Sequence, residues 1–194
     1  MFTTNKLTDE HNETMLNTLP PPHYSLKAID SKKDNQTRQV SVKVPSKSAD
    51  AGGLKEMLTL AKGCRVMLTA NLSVSEGLVN GATGTVEDIQ LKNDDVHRVI
   101  IQFDRDDVGR RSSVEVSGKR LVAIARHEAK FIVGNHYGVE VTRCQFPLNL
   151  AWACTVHKVQ GLTVDNIVVC VSGHFNPGQA YVALSRVKTL SGLH

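Results

Sequence analysis

The segment Asn166 to Val171 is a continuous apolar, β-branched run. Runs of this kind are buried on both faces, as in the parallel sheets of α/β folds, whereas a half-solvated strand alternates. One such strand near the chain end demands neighbours in the same layer and helices to cover it. A second apolar segment, Phe146 to Ala153, precedes it. The run Thr155-Val156-His157-Lys158-Val159-Gln160-Gly161 lies between the two. A hydroxyl, an imidazole, an ammonium and a carboxamide at that density cannot all face a core, because buried polar groups need partners. The run reads as a solvated connection, or as a loop presented to phosphate.

The remaining chain supplies other elements. Leu7 to Leu19 reads as a helix with Thr8 as N-cap, Asp9 and Glu10 in the first turn, and Leu16 and Leu19 as its apolar stripe. Pro20-Pro21-Pro22 ends it. Met1 to Asn5 reads as the end of a strand, and Tyr24 to Ile29 as another. Ser31 to Asp50 is polar and reads as a surface connection. From Leu58 onward the chain breaks into short strands with glycine turns. Leu54, Met57, Leu58 and Ala61 also fit helical spacing, so periodicity leaves that stretch open. Asn80-Gly81 is a tight-turn dipeptide. Gly84 to Ile89 and His97 to Phe103 flank Lys92-Asn93-Asp94-Asp95, and Val114–Val116, Leu121–Ile124 and Gly138–Val141 add further strands. Such spacing predicts a small antiparallel barrel. A final helix runs from Gln179 to Val187, with Asn176 as cap, Pro177 at its first position, and Ala180, Ala183, Leu184 and Val187 as the apolar face. The expected organisation is α/β, then a β-rich insertion, then α/β again.

Composition narrows the partners. The 194 residues carry a formal charge of +4, which permits polyanion binding without requiring it. The four cysteines form no C-x-x-C pair and no Cys/His cluster with metal spacing, so the expectation is a reduced, intracellular protein without a metal site. No apolar run approaches the roughly 18 residues of a membrane span.

Two blocks carry a family resemblance. Gln145-Phe146-Pro147-Leu148-Asn149-Leu150-Ala151-Trp152-Ala153-Cys154-Thr155-Val156-His157-Lys158-Val159-Gln160-Gly161-Leu162-Thr163 resembles motif V of superfamily 1 helicases of the RecD-like branch. Gln179-Ala180-Tyr181-Val182-Ala183-Leu184-Ser185-Arg186 resembles motif VI. The nearest type is the petite-integration-frequency helicases and their helitron relatives. Phe2-Thr3-Thr4-Asn5 is similar to motif IV, and Leu78 to Gly84 is similar to the turn opening the inserted Src-homology-3-like barrel of that family.

The resemblance implies an α/β fold with a RecA-like parallel sheet of the P-loop NTPase type. It would be the second motor domain, interrupted by the antiparallel barrel. The expected boundaries are 1–62 for the first motor part (with the 31–50 connection), 63–145 for the barrel and 146–194 for the motor remainder. The implied activity is that of an ATP-dependent 5′ to 3′ DNA helicase acting in repair or recombination, or in transposition, in the nucleus or the mitochondrion. Arg186 would be the arginine finger against the γ-phosphate; the alternative is a surface arginine closing its helix. Gln179, Gln160 and Gly161 would line the nucleotide cleft, although Gly161 also suits a helix end. Thr155, His157 and Lys158 would contact the DNA backbone, as hydroxyl, imidazole and ammonium donors can. A structural histidine is the other reading of His157. Thr4 and Asn5 either touch DNA or cap the first helix. Trp152 reads as a packing residue. Val159 stands where the family usually has a serine, which removes one phosphate donor.

The G-x-x-x-x-G-K-[ST] phosphate loop is absent, and Gly118-Lys119-Arg120 lacks the hydroxyl residue after its lysine and reads as a strand-end turn. In the family that loop and the Mg2+ ligands lie in the first RecA-like domain. The chain is therefore expected to be a fragment whose partners are that domain, ATP with Mg2+, and single-stranded DNA. A nucleic-acid-binding module or a protein-interaction module derived from a helicase is the alternative. The chain alone is expected to release no phosphate from ATP in a malachite-green assay. Turnover that Arg186→Ala abolishes would overturn this expectation.

Overall fold

A computed structural model describes residues 1–33, 44–46, 48–133, 139–156, 164–170 and 178–194. The chain divides into two compact units, Met1–Leu19 with Leu150–His194, and Pro20–Asn149. The expected limits near 62 and 145 differ from these. Residues 20–62 belong to the sheet-rich unit because they pair and pack there, as set out below.

The first unit holds a parallel ladder built from short backbone segments. Phe2 donates to the Cys154 carbonyl and accepts from Val156 (3.1 and 3.3 Å). The Met1 carbonyl accepts from Cys170 (2.9 Å). Ile167 donates to Gly192 (2.8 Å), and its carbonyl accepts from His194 (2.9 Å). The lateral order is thus 154–156, 1–2, 167–170, 192–194, with parallel bridges at Phe2–Thr155 and Ile167–Leu193. The apolar run opening at Asn166 is an inner member of this layer, with a partner on each side. It is not buried on both faces as expected: Ile167 and Val169 pack on the cluster of Met1, Val156 and Ala183, while Val168 on the other face is 65% exposed. Val171 lies outside the described residues.

Helix α1 (Asn5–Asn17) leaves the ladder directly. Its N-cap is Thr4, whose hydroxyl accepts from the Leu7 amide, and not Thr8. The helix therefore starts four residues earlier than Thr8 would cap it, and its first turn holds no acidic residue. Thr8 instead lies inside the helix, where its hydroxyl donates back to the Thr4 carbonyl (2.9 Å). Leu16 is buried, as expected, and so is Asn12. The Asn12 carboxamide donates to the Leu150 and Ala153 carbonyls (3.3 and 3.0 Å) and accepts from the Ala153 amide (2.8 Å). This satisfies a buried polar side chain and fixes the chain beyond Leu150 against α1.

Helix α2 (Gln179–Leu184) is shorter than expected and begins after Gly178, at φ 82°. The expected cap Asn176 and Pro177 lie outside the described residues. Only Ala183 of the expected apolar face is buried; Ala180 and Leu184 are exposed. The reason is rotational: α2 presents Val182 and Ala183 to a cluster of Met1, Val156, Ile167 and Val169, so the opposite side faces outward.

The second unit contains β1 (His23–Lys27), β2 (Ile29–Lys33), β3 (Met57–Ala61), β4 (Arg65–Leu68), β5 (Thr83–Lys92), β6 (Asp95–Phe103), β7 (Ser113–Val116), β8 (Lys119–Ile124), β9 (His127–Val133), β10 (Val139–Gln145) and β11 (Leu148–Leu150). They form three sheets, β1-β3, β2-β10-β9 and β11-β4-β5-β6-β8-β7. The registers from β1–β3 through β7–β8 are antiparallel. The expected small barrel is thus antiparallel sheet structure to which Pro20–Ala61 also contributes. The stretch Met57–Ala61 is a strand, which decides the open question of its periodicity. Asn93 and Asp94, both at positive φ (52° and 60°), turn β5 into β6. Ser117 and Gly118 (φ 52° and 75°) turn β7 into β8, so Gly118-Lys119-Arg120 is the end of a hairpin turn and the start of β8.

Ser31 to Lys33, expected in a surface connection, belong to β2. Residues 34–43 and 47 of that connection lie outside the described residues. Asp30 stands directly opposite Arg143 in the β2–β10 register. The Arg143 side chain is fully buried and bidentate to Asp30 (Nε–Oδ1 and Nη2–Oδ2, both 2.8 Å). It also donates to the Pro45 and Leu54 carbonyls (3.1 and 3.3 Å) and lies over the Phe131 ring. Gln145 is likewise buried and spans sheets, donating to the Leu26 carbonyl and accepting from Phe146 (both 2.9 Å). At the other end Arg65 grips Asp104 with two 2.6 Å bonds. Those bonds, joined by one from Thr83, hold the Asp104 carboxyl below the usual carboxylate range. Burial pushes the Cys64 thiol up to about 11.

Two outcomes follow from this packing. Asp30→Ala strands a buried guanidinium and is expected to cost about 3–5 kcal/mol in urea denaturation, while Asp30→Leu with Arg143→Met recovers most of the loss. A Cβ at Gly84 would sit 2.5 Å from the Gln102 carbonyl and 2.7 Å from Ile101 Cγ2. Gly84→Ala therefore forces β5 away from β6 and is expected to lower stability by about 1–3 kcal/mol in the same measurement.

Candidate nucleotide and nucleic-acid interface

The site is assembled where the ladder of the first unit releases its connections. Thr155 sits in the ladder through its bridge to Phe2 and is 5% exposed. That places its hydroxyl inside the unit, which departs from the surface phosphate donor expected of it. The cause is the ladder itself, because pairing with Phe2 draws 154–156 into the layer. His157, Lys158, Gln160 and Gly161, with Val159, lie outside the described residues. The segment holding them is bracketed by two described anchors. Val156 is hydrogen-bonded to Phe2 on one side and is buried. Val164, on the other, forms a parallel bridge to Val187.

The second anchor reaches the candidate finger. The Val164 amide donates to the Arg186 carbonyl (2.8 Å), and the Lys188 amide donates to the Val164 carbonyl (3.2 Å). Lys188 also approaches Asp165 (Nζ–Oδ1 2.7 Å), an exposed ion pair of little energetic weight. Val164, three residues beyond the end of the polar run, is thus tied through the backbone to Arg186. Periodicity carried no sign of this, since the bridge joins residues 23 positions apart.

The Arg186 side chain is half-buried at the C-terminal end of α2. Its Nε donates to the Val182 carbonyl (2.9 Å) and its Nη2 to Ser185 Oγ (2.8 Å). A guanidinium on the last carbonyls of a helix is favoured by the helix dipole. This is the helix-closing arrangement that was the alternative to a finger, and it fixes where the cation rests. Gln179 opens the same helix and is half-buried. Arg186 follows the C-cap of that helix, and the groups of the two residues (a carboxamide and a guanidinium) suit phosphate oxygens.

At the other candidate contacts, Thr4 caps α1 and Asn5 is its exposed first residue. Capping occupies the Thr4 hydroxyl as an acceptor and leaves its proton as a donor. Trp152 is half-buried. Among the described residues no three His, Cys, Asp or Glu side chains group to hold a metal ion. Asn12 was not expected, yet it sets the Leu150–Ala153 turn from which the 154–156 segment starts; a lone asparagine inside a polar helix gives no sequence signal of that kind.

Comparison with known proteins gives this geometry a family. The model of the DNA helicase Pif1 2B domain matches residues 50–89, inside the sheet-rich unit. The ATP-dependent DNA helicase PIF1 of Xenopus laevis is 34% identical over 182 residues, covering 94% of this chain and 25% of that protein. The Pif1 helicase of Bdellovibrio bacteriovorus is 41% identical over 144 residues, covering 74% of this chain and 28% of its own length. Among solved structures, Pif1 helicase from Candida albicans superposes with a TM-score of 0.74 at 26% identity, covering 100% of this chain and 43% of that one. Bacteroides Pif1 bound to ssDNA superposes at 0.66 and 28% identity, covering 98% and 38%. The chain thus spans about a quarter of the length of the curated relatives it matches. With its RecA-like α/β layer and antiparallel insert, it belongs to the Pif1 DNA helicase family and corresponds to a portion of those proteins.

Proposed function

We propose that this chain is the second RecA-like motor portion, with its 2B insert, of an ATP-dependent DNA helicase moving 5′ to 3′ along single-stranded DNA. The observation carrying the reading is the backbone bridge from Val164 to Arg186 and Lys188. It ties Val164, three residues beyond the polar run, to the base of the candidate finger. A shift in either is then felt by the other, which coupling of phosphate to DNA requires. Arg186 serves as the arginine finger. It moves from the Val182 carbonyl to the γ-phosphate when the first RecA-like domain closes, and a permanent planar cation suits charge developing there. Gln179, Gln160 and Gly161 line the same nucleotide. His157 and Lys158 hold the DNA backbone, Thr155 sets their starting point from within the sheet, and Thr4 and Asn5 lie at the head of α1 for a further backbone contact.

ATP with Mg2+ is the cofactor of the complete enzyme. The phosphate loop and the magnesium ligands come from the first RecA-like domain, the partner of this portion, and the chain alone does not turn over. The nuclear or mitochondrial interior is its proposed location. Support comes from the relatives, which are named ATP-dependent DNA helicases, and from Bacteroides Pif1, solved with ADP-AlF3 and ssDNA.

Two substitutions in the full-length helicase test the reading. Arg186→Ala is expected to lower ssDNA-stimulated ATP hydrolysis by about 10³-fold or more while ssDNA binding persists. Lys158→Ala is expected to weaken oligo-dT binding and to reduce the slope of log affinity against log salt by about one. Hydrolysis untouched by the first change removes the finger; an unchanged slope after the second removes the DNA contact.

A further inference from the structure

The connection between β6 and β7 carries Arg110-Arg111-Ser112-Ser113-Val114. Basophilic protein kinases read arginines three and two residues before a serine, with an apolar residue after it, along an extended substrate strand. Their recognition chemistry is carboxylates paired with guanidinium forks. Ser113 stands in that frame, with Arg110 and Arg111 before it and Val114 after it. Ser112 does not.

The fold presents this frame outward. Arg110 and Arg111 are exposed, and Val114 is 66% exposed. Ser113 opens β7, an edge strand of the six-stranded sheet whose one neighbour is β8, so its other side is unpaired extended backbone. Ser113 itself is half-buried, and its hydroxyl donates to the Arg110 carbonyl (3.2 Å) at the exposed edge of the strand. Ser112 is engaged elsewhere: its amide and hydroxyl donate to one Glu76 carboxylate oxygen (3.0 and 2.5 Å). The Gly109 amide donates to the Glu76 carbonyl (2.7 Å), and Val108 is buried beside Gly77. The connection is thus latched onto the short turn Val74–Glu76, and the two arginines are held out from it.

We propose that Ser113 is an acceptor for a basophilic protein kinase, and that its phosphorylation opens the Glu76 latch. In the transfer Ser113 Oγ bonds to the γ-phosphorus of ATP, the bond from that phosphorus to the β,γ-bridging oxygen breaks, ADP leaves, and the hydroxyl proton goes to the base of the kinase. The new group carries about −2 charge one residue from the carboxylate that Ser112 holds, and like-charge repulsion disfavours that contact.

The test incubates the 194-residue chain with ATP and the catalytic subunit of a cyclic-AMP-dependent kinase, followed by intact mass and peptide mapping. One phosphate is expected, on Ser113, lost in Ser113→Ala and kept in Ser112→Ala. Arg110→Ala with Arg111→Ala is expected to slow incorporation by about tenfold or more. Amide hydrogen exchange at Gly109 and Ser112 is expected to accelerate in the phosphorylated chain. No incorporation into the folded chain, whether or not a peptide spanning 108–118 is modified, overturns the site, as does phosphate on another residue with Ser113 unmodified. Unchanged exchange at Gly109 and Ser112 overturns the latch.

Discussion

The parallel backbone ladder through Met1–Phe2 and Ile167–Cys170 is the constraint on which the candidate site depends. Its members are only a few residues long, yet each inner one is hydrogen-bonded on both sides. Buried backbone groups that lost these partners would carry an unmet desolvation cost. That requirement holds Thr155 in the layer, starts the polar run at a fixed point and receives the chain again at Val164. Helix α2 then packs Val182 and Ala183 on the ladder, and its orientation sets where Arg186 stands.

In the sheet-rich unit the corresponding role falls to buried polar side chains. Val141, Arg143 and Gln145 share one face of β10, and all three are buried. Arg143 gathers β2, Pro45 and Leu54, while Gln145 gathers Leu26 and Phe146. Desolvating a guanidinium is costly, so the pair with Asp30 adds little net stability over an apolar replacement. What it adds is register: a one-residue slip between β2 and β10 would leave Arg143 facing Ile29 or Ser31. A charge without its partner in that interior is excluded far more strongly than a mispacked methyl group.

Legibility in the sequence followed the range of the interactions involved. The turns at Asn93-Asp94 and Gly118 and the end of α1 before the prolines rest on local chemistry and were readable. The run at Asn166 was readable as an inner ladder member, whereas its burial on one face only, with Val168 exposed, was not. Strand β2 was not, because Ile29-Asp30-Ser31-Lys32-Lys33 has no apolar alternation and is a strand through Arg143, 113 residues away from Asp30. Strand β9 does alternate at Ala129, Phe131 and Val133, so the sequence carries a local signal for it. The helix cap moved from Thr8 to Thr4 because both fit a local cap and only the ladder at Phe2 decides which one the chain turns on. In the site, residue types announced Arg186 and the run after Thr155. The tie that holds Arg186 to Val164 is long-range and carried no local signal.

The sequence by itself determined the α/β character, the antiparallel insert, the family and the residue types able to meet phosphate. The family follows from the likeness of Gln145–Thr163 and Gln179–Arg186 to known motifs; the rest follows from hydrophobic period and turn chemistry, which act over a few neighbouring residues. Tertiary structure alone decided that Thr155 is inside the layer, that Arg186 rests on the end of its own helix and that Pro20–Ala61 joins the sheet-rich unit. Each of these is settled by hydrogen bonds or packing between residues remote in the chain, or by the geometry of a helix end. No local pattern encodes which distant partner will satisfy a buried group.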